Sequence, residues 1–252
     1  MKLSYFELLS PEPVELKNVG GILSPKLRSI AALGYNTYQY YLSILLLDAE
    51  TLLSMFGGSD QYKRMPKEAQ EQIHIFDLLT ASEQSYSLLQ NILNFFIKEE
   101  IIYSPENKGF VSRNGSRESG IITKDLYPQV CDLICQRNCV KFDRKEDLSR
   151  VKSKKALEIM KKLQKGRAER SRQTKTDQNM ELGNIISAVA SKSHSLNILN
   201  IWDLTVFQLW DCFARLTNNS IYDIQSMSVA AWGNKNNYFD VTAWFKRIET
   251  DK

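Results

Sequence analysis

Residues 28–56 read RSIAALGYNTYQYYLSILLLDAETLLSMF, and Tyr38, Tyr41, Leu42, Leu45, Leu46, Leu52, Leu53 and Phe56 recur within them at spacings of three and four. That period draws one apolar stripe along an α-helix, and the pair Gly57-Gly58 stops it. The pattern predicts a buried helix here. The same period returns through most of the chain, which predicts a mainly α-helical fold.

After a break at Pro66, residues 67–102 (KEAQEQIHIFDLLTASEQSYSLLQNILNFFIKEEII) repeat the pattern with Ile73, Phe76 and Leu79, then Leu88, Leu89, Ile92, Leu93 and Phe96. One or two further helices follow from it, jointed near Thr80 and Ser82. The period changes over about 101–123 (IIYSPENKGFVSRNGSRESGIIT), where short β-prone runs are separated by PENKG and RNGSRESG, so a β-hairpin or small sheet is expected. Upstream, Gly20-Gly21 and Pro25 punctuate short extended pieces in VELKNVGGILSPKL. Downstream, KDLYPQVCDLICQRNCV is helical in spacing through Val130, Cys131, Ile134 and Cys135.

The C-terminal part supplies a helix in MELGNIISAVASKS, an Asn/Ser-rich turn, and IWDLTVFQLWDCFARL. In the latter, Val206, Leu209, Trp210, Phe213 and Leu216 form a wide apolar stripe, and Asp203 is the expected N-cap. The tail, from Ser220 on, reads as a further helix, a polar loop and a short terminal helix. The formal charge of +4 is unevenly spread: residues 141–175 carry 14 Lys/Arg against 5 Asp/Glu, while the flanking parts are mildly acidic. The expected organisation is an N-terminal helical lobe (1–140), a basic helical connector (141–180) and a C-terminal helical lobe (181–252).

With 252 residues, 43% hydrophobic and 25% charged, the composition is that of a globular protein. No apolar run approaches the ~20 residues that a bilayer span requires, and the first residues do not read as a signal peptide, so a soluble cytoplasmic protein is expected. The spacing C-x3-C-x3-C at Cys131, Cys135 and Cys139 differs from the tight C-x2-C pairs of structural zinc sites. These cysteines alternate with apolar residues and read as small buried ones. With His74 and His194 the only histidines, a catalytic cysteine lacks a nearby base. The glycine-rich pieces fit no phosphate-binding pattern, and Glu99-Glu100 do not face each other on a helix. No enzyme activity, cofactor or metal is expected.

The basic segment has three open readings: a solvated linker, a contact for an acidic protein surface, or a nucleic-acid contact. Phe142 is its only aromatic, which leaves base stacking without a platform. Its candidate contact residues are Lys154, Lys155, Lys161 and Lys162. Trp202, Trp210, Trp232 and Trp244 all fall in the last fifth of the chain and read mainly as core, with one or two at the rim of a groove to anchor a partner. Trp202, Trp210 and Phe213 are the partner-binding candidates there.

Three passages, GIITKDLYPQVCDLICQRNCV, SKKALEIMKKLQKGR and NIISAVASKSHSLNILNIWDLTVFQLWDCFARL, resemble in order and wording proteins from the tail-morphogenesis modules of long-tailed phages and prophages of Gram-positive bacteria. SPKLRSIAALGYNTYQYYLSILLLD is similar as well. The resemblance implies a tail assembly chaperone acting on the tape measure protein, a very long apolar-rich helical chain, in the cytoplasm of the bacterial host. It further implies that the C-terminal lobe covers client helices and that the basic helix engages tail tube subunits. The competing expectations are a virion structural protein of the neck or baseplate, and a nucleic-acid-binding protein using the basic helix.

Overall fold

The computed structural model describes residues 1–56, 59–115, 117–140, 178–234 and 239–248. The fold is mainly α, with two small antiparallel sheets. The chain divides into two compact units, one formed by Met1–Phe142 with Asp203–Phe207 and the other by Asp143–Trp202 with Gln208–Lys252. Lys154, Lys155, Lys161 and Lys162, with the rest of the basic connector before Gln178, lie outside the described residues.

In the first unit, helix α1 (Tyr5–Leu9) is followed by strands β1 (Val14–Leu16) and β2 (Gly20–Ile22). The periodic stretch 28–56 forms three helices instead of one: α2 (Leu27–Leu33), α3 (Tyr35–Leu45) and α4 (Ala49–Met55). Two local signals break it. Gly34 takes φ 94°, a conformation that only glycine adopts freely, and Asp48 caps α4 by accepting the Thr51 amide at 2.7 Å. Short helices α5 (Ser59–Arg64), α6 (Lys67–Glu71) and α7 (Ile75–Leu79) lead to α8 (Glu83–Phe96), whose N-cap is Ser82. The expected joint at Thr80 and Ser82 therefore lies between α7 and α8.

Helix α8 buries Leu89, Ile92, Leu93 and Phe96 completely. Each such side chain contributes roughly 1.5–3 kcal/mol of transfer free energy. The expected small sheet is a three-stranded meander of β3 (Glu100–Ser104), β4 (Gly109–Asn114) and β5 (Arg117–Ile122). Phe110 on β4 lies opposite Tyr103 and Ile122, and it meets Phe76 of α7 edge-on at 5.9 Å. Two α8 side chains reach the outer edge of β3. Asn94 accepts the Ile101 amide at 2.9 Å and donates to the Ile101 carbonyl at 2.8 Å, and Gln90 accepts the Tyr103 amide at 2.8 Å. On the far side, a Cβ built on Gly120 of β5 would overlap the Asn18 carbonyl from the β1–β2 turn.

Helix α9 (Tyr127–Arg137) runs through the core, with Val130, Cys131, Leu133, Ile134 and Cys135 buried. Its end is a Schellman closure, in which Val140 donates to the Cys135 carbonyl at 2.9 Å and Cys139 to the Gln136 carbonyl at 3.3 Å. Cys139 takes the left-handed position there, at φ 57°. The adjacent Arg137 is fully buried and holds the N-terminal segment to α9 by donating to the Ser10 and Glu12 carbonyls, both at 2.9 Å. Burial lowers the pKa of its guanidinium, and its Nε finds no acceptor among the described residues. Gln136 adds to this strap by accepting the Leu3 amide at 2.8 Å.

Asp203–Phe207 complete this unit. Thr205, Val206 and Phe207 are buried, Lys26 and Thr205 form a β-bridge, and Tyr5 meets Phe207 edge-on at 6.0 Å. Asp203 is not a helix cap, contrary to the sequence expectation. It lies in a 3-10 turn, Ile201–Asp203, and pairs with Arg28 at 2.9 Å, while the following helix begins at Val206.

Candidate functional site

The second unit contains the helix Leu182–Lys192 and all but the first two residues of the helix Val206–Trp232. The sequence predicts an interruption near Ser220, yet the 27-residue helix passes through Thr217-Asn218-Asn219-Ser220 unbroken. The small hydroxyls explain this. Thr217 donates to the Phe213 carbonyl at 2.9 Å and Ser220 to the Leu216 carbonyl at 2.7 Å, so both bond back along the helix rather than opening a turn. Gly233 ends it at φ 77°, with its amide on the Val229 carbonyl at 2.8 Å.

The apolar stripe of this helix is uncovered step by step. Val206 and Leu209 are buried, Trp210, Phe213 and Leu216 are half-buried, and Ile221, Ile224 and Met227 are 50%, 65% and 64% exposed. Where burial gives way to exposure there is a groove of about 150 Å³, lined by Ala188, Val189 and Lys192 from the shorter helix and by Phe213, Leu216 and Thr217 from the longer one. An apolar floor with an ammonium at one wall fits an apolar side chain flanked by an acceptor or a carboxylate.

Of the residues singled out from sequence, Phe213 lines the groove and Trp210 stands against it edge-on, their ring centroids 6.0 Å apart. Trp202 is not brought to it. Its indole donates to the Ile198 carbonyl at 2.8 Å, in the turn before the 3-10 helix. The expectation that the tryptophans are mainly core is corrected, since Trp202 and Trp210 are half-buried and Trp232 and Trp244 are 77% and 52% exposed. Val189 and Lys192 were missed, although MELGNIISAVASKS was read as a helix; the sequence carries no signal that its end meets Phe213.

The segment 239–248 returns to the long helix. Arg215 donates to the Lys246 carbonyl at 2.8 Å, and Phe239 packs on Tyr222 with ring centroids 5.3 Å apart. Asp240 pairs with Lys246, and the hydrogen bonds from Lys246 and Thr242 hold its carboxyl far below the usual range.

The thiols of Cys135, Cys139 and Cys212 are not activated, since burial raises each of them. Cys131 and Cys135 are buried as expected, and burial, aided by Asp132, pushes the Cys135 thiol up to about 12. Burial raises Cys212 as well, with Asp211 beside it. A thiolate nucleophile needs the opposite shift. Cys139 is exposed at the helix end. Among the described residues, no group of three His, Cys, Asp or Glu side chains is disposed to hold a metal ion, and no helix is long and apolar enough to cross a membrane.

No curated protein and no solved structure matches the chain. Residues 173–249, which contain the whole groove and the exposed stripe, match the family model described as the YomV second domain, so this part of the chain is similar to a phage-derived family of the Bacillus prophage type.

Proposed function

We propose that this is a phage tail-morphogenesis protein, a tail assembly chaperone that acts by binding apolar helices of the tape measure protein in the host cytoplasm and not by catalysis. The observation that carries the reading is the half-covered stripe of the Val206–Trp232 helix, with the groove beside Phe213 inside the segment similar to a phage-derived family. An uncovered apolar surface of this extent on a globular protein marks an interaction site. A client helix would place one apolar side chain against Phe213 and lay its stripe along Leu216, with Lys192 at the rim for an acidic flank. The unactivated thiols support a binding role, and a basic connector is suited to acidic surfaces such as those of tail tube subunits.

The test is co-expression of the full chain with the tape measure protein of the same tail module. Wild type is expected to keep the client soluble, and Phe213→Ser to lose most of that effect while its thermal unfolding stays cooperative. If Phe213→Ser and Lys192→Glu protect the client as well as wild type does, the groove is not the binding element and the reading fails.

A further inference from the structure

Five residues of the chain belong with a part far from them in sequence. Asp203–Phe207 are built into the first unit, while the residues on either side belong to the second. The segment is held along its length. The Asp203 carboxylate meets Arg28 at 2.9 Å and Lys26 at 3.9 Å. The Leu204 carbonyl accepts the Leu27 amide at 2.9 Å. Thr205 forms an antiparallel bridge with Lys26 and is fully buried. Val206 and Phe207 are each only 4% exposed, and the Phe207 ring stands edge-on to Tyr5. These last two residues also open the 27-residue helix, so the held segment and that helix are one continuous element.

We propose that Tyr5, Lys26, Leu27 and Arg28 form a docking slot on the first unit for a short extended segment, that Asp203–Phe207 of this same chain is its occupant, and that this docking holds the two parts of the chain together independently of the connector. The occupant falls inside residues 173–249, so the part similar to the YomV second domain brings its own docking segment to the residues that precede it. The mode is that of strand addition, in which main-chain bonds hold the segment and side chains at chosen positions select it.

Each position has its own part in the recognition. Phe207 is the anchor, a buried aromatic side chain set against another ring. Leu204 contributes its carbonyl. Asp203 fixes the direction, because a reversed segment would carry its carboxylate to Tyr5 and its aromatic ring to Lys26 and Arg28. That ion pair is more than half exposed on both sides and adds little strength. The chain returns to the slot only after positions 141–202, so the contacts already offset the entropy of closing a long loop. Cutting the loop removes that closure and leaves the contacts themselves to be measured.

This inference does not rest on the client reading, and its test needs no client. A protease recognition sequence is placed after Gly166 of the full chain, and the folded protein is then cut into residues 1–166 and 167–252. The two pieces are expected to sediment together, one to one, at micromolar concentration, and a dilution series gives the Kd between them. Phe207→Ala is expected to raise that Kd about a hundredfold, the usual cost of emptying a buried aromatic site expressed as affinity. Asp203→Arg is expected to raise it about fivefold, and adding Arg28→Asp to recover most of the loss. Both charged residues are more than half exposed, so this exchange leaves the fold intact and decides the matter if Phe207→Ala does not fold. Wild-type pieces that separate, or Phe207→Ala pieces that hold as tightly as wild type, overturn the proposal. An Asp203→Arg loss that Arg28→Asp does not repair overturns the assigned direction.

Discussion

The Leu27 amide donates to the Leu204 carbonyl at 2.9 Å, joining the start of α2 to a residue 177 positions later in the chain. Through this bond and its neighbours the segment Asp203–Phe207 is built into the first unit, although it lies within the residues similar to the YomV second domain. Phe207 is buried there against Tyr5. Phe207→Ala is therefore expected to destabilise the first unit by about 3 kcal/mol, the usual cost of emptying a buried aromatic site. Urea unfolding followed by circular dichroism measures it, and an unchanged midpoint would show that the segment is dispensable.

Arg137 supplies the next prediction. Its guanidinium bonds two carbonyls of the N-terminal segment at full burial, where charged hydrogen bonds count for about 1.5–3 kcal/mol. Arg137→Ala is expected to cost about 3 kcal/mol and to abolish hydrogen-exchange protection in the segment before β1. Arg137→Lys is expected to fall between, because an ammonium cannot reproduce the planar fork. Equal protection in all three proteins would exclude the clamp.

Cys139 closes α9 with φ 57°, where glycine is the residue without a steric cost. Cys139→Gly is expected to raise stability by about 1 kcal/mol, the strain of a left-handed residue bearing a Cβ. A lower melting temperature for this variant would mean that the thiol makes a contact worth more than the strain.

Glu7 gives a pH dependence. Its carboxylate accepts the Ser4 hydroxyl and amide, both at 2.7 Å, and these bonds, the hydroxyl first, lower its pKa from the ordinary 4.5. The folded value lies below the unfolded one, so the stabilisation is complete above the ordinary value and is lost as pH falls through the lowered one. The Ser4 and Glu7 amide resonances are expected to titrate together below the ordinary glutamate range. A midpoint at or above 4.5 would refute the capping box.

The helical class, the meander between 101 and 123 and the burial of Cys131 and Cys135 were legible because each rests on local periodicity or on one residue type. What was not legible was decided by partners far away. Asp203 is spaced as a cap, and its carboxylate goes to Arg28 instead. Thr217 and Ser220 have turn-forming composition, yet the stripe on either side keeps the helix running and turns their hydroxyls back onto it. Arg137 gave no warning of burial, because its acceptors are carbonyls more than a hundred residues away. At the candidate site, Phe213 was readable from the stripe, and Val189 and Lys192 depended on how the shorter helix ends beside it.

The α8 amides that bond the outer edge of β3, and the Asn18 turn pressed against Gly120 of β5, have an effect beyond holding the sheet in place. An exposed strand edge invites a strand from another chain. Here Asn94 and Gln90 already occupy the backbone groups of Ile101 and Tyr103 that an incoming strand would need. At the other margin, backbone already lies against Gly120 where a further strand would pass. The meander is thus guarded at both margins against runaway pairing. A sheet closed in this way cannot template the extended segments of another chain, so it adds no route to open-ended strand addition.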